Sequence, residues 1–136
     1  MKEIKFRAWH KEKEMLVDVL EIYFKEKRVR LPIESEKSDD YWWYETDWDF
    51  DEVVLMQFTG LKDKNGVGIY DRDIVQVEEK IVISGKMTSI KVNKVVKYKE
   101  DYAQFLLYAN EDGEHLTFAT FGEVIGNVYD NPELIK

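Results

Sequence analysis

From Tyr44 to Asp51 the chain alternates strictly: Tyr44, Thr46, Trp48 and Phe50 fall at one parity, and Glu45, Asp47, Asp49 and Asp51 at the other. A period of two places successive side chains on opposite faces of an extended strand, so the alternation predicts a strand with an aromatic face inward and an acidic face in water. The same period appears near the start, where Ile4, Phe6 and Ala8 alternate with Glu3, Lys5 and Arg7 before a polar bend from His10 to Glu14. The run from Met15 to Phe24 is apolar on several sides, but its β-branched and aromatic members, Val17, Val19, Ile22, Tyr23 and Phe24, favour strand. After a charged turn at Lys25 to Lys27, Arg28 to Leu31 is expected to pair back and to stop at Pro32, which has no N–H for a ladder. Ser35 to Asp40, with serine and charge and nothing apolar, reads as a mobile loop.

The second half carries more strands. Val53 to Thr59 is an apolar run broken by Gln57, Asn65-Gly66 predicts a type I′ hairpin turn, and Ile69 to Val77 is the returning strand. Farther on, Ile90, Val92, Val96 and Tyr98 share one parity, with Lys91, Asn93, Val95, Lys97 and Lys99 on the other. Lys94 is the misfit on the apolar side and is expected to mark a bulge or a snorkelling edge residue. Phe105 to Tyr108 and Leu116 to Phe118, joined through Asn110 to Gly113, predict another hairpin, and Val124 to Tyr129 a last strand. Asn131-Pro132 can start a helix, but so little chain remains that one short turn is the limit. Eight or nine short strands with frequent turn signals predict an all-β fold. The expected architecture is a single domain over 1–136: N-terminal strands in 1–33, the acidic and aromatic segment in 34–52, a small SH3-like barrel or meander in 53–129, and a tail in 130–136.

Composition narrows the chemistry. With 136 residues and 44% hydrophobic content, the chain can bury a real core. The absence of Cys removes disulfides, thiol nucleophiles and thiolate-held metals, and fits a reducing compartment. No apolar stretch approaches the length of a membrane span and the N-terminus is charged, so a cytoplasmic location without membrane contact is expected. Nine carboxylates and one lysine give 34–52 a net charge of −8. The whole chain also carries −8, so the remainder is balanced and lacks the broad basic surface of a duplex-DNA binder.

Several segments together carry a family likeness: Phe6 to Trp9, the stretch LMQFTGLKDKNGVGIYDRDIV from Leu55 to Val75, Val124 to Tyr129, and Asn131 to Leu134. They resemble the YopX-like proteins of bacteriophages and prophages in Gram-positive bacteria. The resemblance spans nearly the whole chain and is weak over 23–52 and 79–123. It implies an accessory protein acting in the bacterial host cytoplasm, and it implies no reaction. Such sequences more often have Gly where this chain has Arg72, which argues against a left-handed backbone at that position.

Three functional readings compete. The first is a non-enzymatic binding module for a host or phage protein or for single-stranded nucleic acid. Its candidate contacts are Lys91, Lys97 and Lys99 on the basic strand, against the plainer reading of lysines that protect a sheet edge. The second is an acidic decoy that imitates a phosphate backbone, carried by Trp42, Trp43, Asp47, Trp48, Asp49 and Asp51. The third, from a different class, is a Mg²⁺-dependent nuclease using Asp71, Asp73, Glu78 and Lys80. The Glu78-x-Lys80 match is short, and turn carboxylates more often bond backbone amides. No nucleophile elbow or phosphate loop is present, and His10 and His115 read as solvated turn residues. No cofactor is expected. The acidic and basic segments are complementary in sign, so copies of the chain could also associate.

Overall fold

The computed structural model describes residues 2–34 and 43–135; the side chain of Trp43 is outside that description, as are Trp42 and the loop expected over 35–40. The chain is all-β, with strands joined by turns and four short 3-10 segments among the described residues. The strands are β1 Phe6–His10, β2 Met15–Asp18, β3 Glu21–Tyr23, β4 Arg28–Glu34, β5 Trp43–Asp49, β6 Val53–Lys62, β7 Gly68–Tyr70, β8 Asp73–Ile83, β9 Lys86–Lys99, β10 Gln104–Tyr108, β11 Gly113–His115 and β12 Glu123–Asn127. They fall into two compact units, one of Ile4–Gln57 and one of Met1–Glu3 with Phe58–Lys136.

In the 4–57 unit, β1 pairs antiparallel with β2 and with the first half of β6, and β4 pairs between β3 and β5. Tyr44, Thr46 and Trp48 lie opposite Ile33, Leu31 and Val29, which are fully buried, while Glu45, Asp47 and Asp49 lie opposite Pro32, Arg30 and Arg28. The alternation in the sequence is therefore the alternation of the strand. Trp48 and Phe50 pack against the core of Ala8, Val29, Leu31, Ile33 and Val53. Each fully buried Leu or Ile contributes about 1.5–3 kcal/mol relative to exposure.

Two sequence expectations are corrected here. The apolar run from Met15 does not form one strand but splits at Val19-Leu20 into β2 and β3, which belong to different sheets. β4 does not stop at Pro32 but runs to Glu34. Beyond Arg30 it pairs with β5 alone, so one side has no ladder and a missing N–H is tolerated.

In the 58–136 unit, five strands form an antiparallel sheet in the order β11-β10-β9-β8-β12. Its core face carries Val75, Val77, Val96 and Leu107, packed with Ile69, Leu116 and Ala119. The expected strand at Leu116 is instead a 3-10 segment, Leu116–Phe121, which folds over that face and buries Leu116 and Ala119. Gly122 closes it where backbone and sheet nearly touch: an added Cβ would lie 2.6 Å from the carbonyl oxygen of Gln76. The returning strand expected from Ile69 is broken at Asp71-Arg72 into β7 and β8. At that turn Arg72 does adopt the left-handed region, with φ of 65°, correcting the expectation drawn from its side chain. Its amide donates to the Val96 carbonyl of β9 and its carbonyl accepts from the amide of Val128, just after β12, so both neighbours hold it there.

The hairpin turn also differs from type I′. That turn needs positive φ at both central residues, and only Gly66 has it, at 82°. The turn instead runs over Asp63–Gly66, with the Gly66 amide donating to the Asp63 carbonyl at 3.0 Å. The Asp63 carboxylate sets this geometry by accepting the amides of Asn65 at 2.8 Å and Val67 at 2.9 Å through one oxygen. Its other oxygen accepts the amide of Val124 at 2.8 Å, tying the hairpin to β12. A single Pro132–Ile135 3-10 turn follows β12, the short C-terminal turn that Asn131-Pro132 predicts.

Candidate functional site

A polar concavity lies along β9. Unbroken antiparallel pairing sets Lys91 opposite Glu78, Asn93 opposite Gln76 and Val95 opposite Ile74, and on the other side Lys97 opposite Leu106 and Val95 opposite Tyr108. By strand alternation Lys91, Asn93, Val95 and Lys97 then share the face away from the core. They line a cavity of about 600 Å³ together with Gln76, Tyr108 and Asn110. A second cavity of about 610 Å³ shares Val95 and Lys97 and adds Arg72, Asp71 and Glu100, so the two form one groove.

Charge is arranged unevenly in this groove. Arg72 is held by Asp71 at 2.6 Å; Lys99, which lines neither cavity, lies 3.6 Å from Asp101. Lys97 instead stands over the ring of Tyr108, its ammonium 5.7 Å from the centroid. Lys91 and Lys97 are both exposed, and neither forms an ion pair among the described residues. The amide groups are ordered: Gln76 donates to Asn93 at 3.1 Å, and Asn93 donates to the Leu134 carbonyl at 2.9 Å. The floor is thus fixed while the two ammonium groups remain available.

The plain edge-protection reading is compatible with the pairing at all three lysines. β9 pairs with β8 over Lys86–Val95 and with β10 over Val95–Lys99, so Lys91 lies where β8 is the one partner and Lys97 and Lys99 where β10 is the one partner. Lys94 is not at a bulge; it lies one residue beyond the reach of β10, where β8 is the one partner, but it does not snorkel to solvent. The register through it is continuous, and its side chain is buried, clasped by the carboxylates of Glu79 and Glu114. Burial alone would push its ammonium toward deprotonation, yet the hydrogen bonds to Glu114 and Glu79 prevail and hold it above the ordinary lysine range.

The acidic segment is less bare than its composition suggests. Arg30 bonds Asp47 at 2.9 Å and Arg28 reaches Asp49 at 3.2 Å, while Glu45 lies 3.9 Å from Arg30. The Arg30 hydrogen bond holds the Asp47 carboxyl below the usual range. Asp51 is exposed, and its backbone carbonyl accepts from Lys11 at 2.7 Å. Trp48 is half-buried against the core, which removes it from the outer contact surface proposed for it. The arginines across from the acidic face had no visible role in the sequence; only strand register pairs them with it.

The carboxylates proposed for a metal do not converge. Asp73 and Glu78 have opposite parity on β8 and so face opposite sides of the sheet. Asp73 is buried and accepts the Tyr70 amide at 2.8 Å, a turn role, and Asp71 is paired with Arg72. Of the histidines, His115 is exposed and its Nδ1 accepts the Thr117 amide, but His10 is buried rather than solvated. It stands edge-on to Trp48, with ring centroids 4.1 Å apart, and its Nδ1 accepts the Lys13 amide at 3.0 Å.

The fold and the groove thus define a small all-β protein with a polar, partly cationic concave face. A crystal structure of protein EF1440 from Enterococcus faecalis has the same fold, with a TM-score of 0.64 at 22% identity over the full length of both chains. The YopX protein family matches residues 5–136, and the chain belongs to that family. No curated protein matches the sequence.

Proposed function

We propose that this YopX-family protein is a non-catalytic accessory module of a phage or prophage, and that its β9 groove binds single-stranded nucleic acid in the host cytoplasm. The observation that carries the reading is the placement of Lys91 and Lys97, unpaired by carboxylates among the described residues, on one floor with Tyr108, Asn93 and Asn110. Cations can follow a phosphate backbone, the half-buried ring of Tyr108 offers its accessible part for stacking, and ordered amides can bond base edges. Lys99 contributes less because Asp101 already engages it. The acidic-decoy reading is weakened by Arg28 and Arg30, which occupy two of its carboxylates.

The test is fluorescence anisotropy with labelled single-stranded oligonucleotides over a salt series. Binding should weaken as salt rises, with a slope of about −0.7 per phosphate contacted. The Lys91→Ala, Lys97→Ala double variant should flatten that slope, and Tyr108→Ala should lose about 1–3 kcal/mol of binding. No binding at low salt, or a double variant that binds like the parent, would sink the proposal.

A further inference from the structure

The outer part of the β8–β9 hairpin points to a second copy of this chain. β10 covers β9 only at Val95–Lys99, so from Glu78 and Lys91 outward to the Ser84-Gly85 turn the hairpin is a two-stranded ribbon. Such a ribbon is marginal in water without a further layer. Its face continuous with the core carries Ile81 and Ile83 on one strand and Ile90 on the other, with Ile83 52% and Ile90 36% exposed. The core face therefore runs past the 3-10 segment that covers it, and an apolar stripe emerges along the ribbon.

The two ends of that stripe are complementary. At the tip Lys86 lies opposite Ile83 and is exposed. At the root Glu79 and Glu114 share the single ammonium of Lys94, leaving one negative charge beside a cavity of about 460 Å³ whose rim includes Phe118 and Phe121, the latter 77% exposed. Root and tip are separated by about 20 Å of extended strand. We infer that two copies pair antiparallel through this face, each setting the Ile83 and Lys86 tip against the Phe121 and Glu114 root of the other. A two-fold contact of this kind buries both stripes at once and satisfies both charges by the same operation. It leaves the Lys91 and Lys97 face of β9 outside the contact, because those residues have the opposite parity.

Sedimentation of the full chain at about 100 μM, where a micromolar dimer would be mostly assembled, tests this. The expected result is a dimer that reverts to monomer in Ile83→Asp and in Lys86→Glu, both exposed positions, with unchanged circular dichroism. If Ile83→Asp perturbs folding, Lys86→Glu decides. The chain has no Cys, so a Lys86→Cys, Phe121→Cys double variant should form a covalent dimer on oxidation, while Lys86→Cys alone should not. A monomeric parent chain, a dimer insensitive to the two tip substitutions, or cross-linking by Lys86→Cys alone would overturn the antiparallel pairing.

Discussion

His10 and Arg72 are residues whose surroundings, more than their types, set their behaviour. Burial lowers the His10 pKa from the ordinary 6.5, and nearby Lys13 lowers it further. Between the lowered value and 6.5 the unfolded chain takes up a proton that the folded chain refuses. The stability held by neutral His10 is therefore complete above about pH 6.5 and is lost as pH falls from there through the folded value. Urea midpoints should drop across that window, and His10→Gln should flatten the drop. At Arg72 the left-handed backbone costs about 1–2 kcal/mol for a residue with Cβ. The half-exposed pair with Asp71 offsets only about 0–1 kcal/mol of that. Arg72→Gly should accordingly leave the urea midpoint unchanged or raised, whereas Arg72→Val, β-branched and unpaired, should lower it.

At the scale of elements, the hairpin from β6 to β7 rests on one carboxylate. Burial pushes the Asp63 carboxyl up, but the amides of Val124, Val67 and Asn65 together outweigh burial and bring it below 3.8. Its contribution is present above that ordinary value and is lost as pH falls through the depressed one. Asp63→Ala would leave three amides without their acceptor; those of Asn65 and Val67 lie in an exposed turn and can bond water, that of Val124 is part-buried, and each hydrogen bond to a charged group contributes about 1.5–3 kcal/mol. Equilibrium unfolding should show a loss of at least about 2 kcal/mol, with Asp63→Asn losing less because one oxygen remains. Hydrogen exchange should show the amides of Asn65, Val67 and Val124 losing protection together. The sequence made the hairpin legible through Asn65-Gly66, yet misassigned its turn, because the side-chain bond from Asp63 competes with the backbone preference of Asn-Gly. The 3-10 segment at Leu116 was likewise hidden: its apolar spacing suits a strand, and only packing over the core face selects the tighter turn.

At the scale of the whole molecule, the net charge of −8 sets opposite salt responses for folding and binding. Self-repulsion among like charges is screened by salt, so the thermal midpoint should rise between about 0.05 and 0.5 M NaCl, while the Debye length shrinks toward a few ångströms. Oligonucleotide binding should fall over the same range if the groove acts through phosphate contacts. Calorimetry and anisotropy on the same samples check the pair, and a midpoint that fell with salt would show that ion pairs such as Arg30–Asp47 outweigh the repulsion.

Periodicity by itself determined that this chain is β, which face of β5 is aromatic, and that Lys91 and Lys97 share a face, because alternation is a local property of an extended backbone. The family likeness was equally legible, since it rests on contiguous motifs. Pairing partners were not. Arg28 and Arg30 against the acidic strand, Lys94 between Glu79 and Glu114, and Asp63 on Val124 join residues up to 61 positions apart. Strand register and sheet order bring such residues together, and these are decided by burying distant apolar faces against one another, which no local pattern encodes.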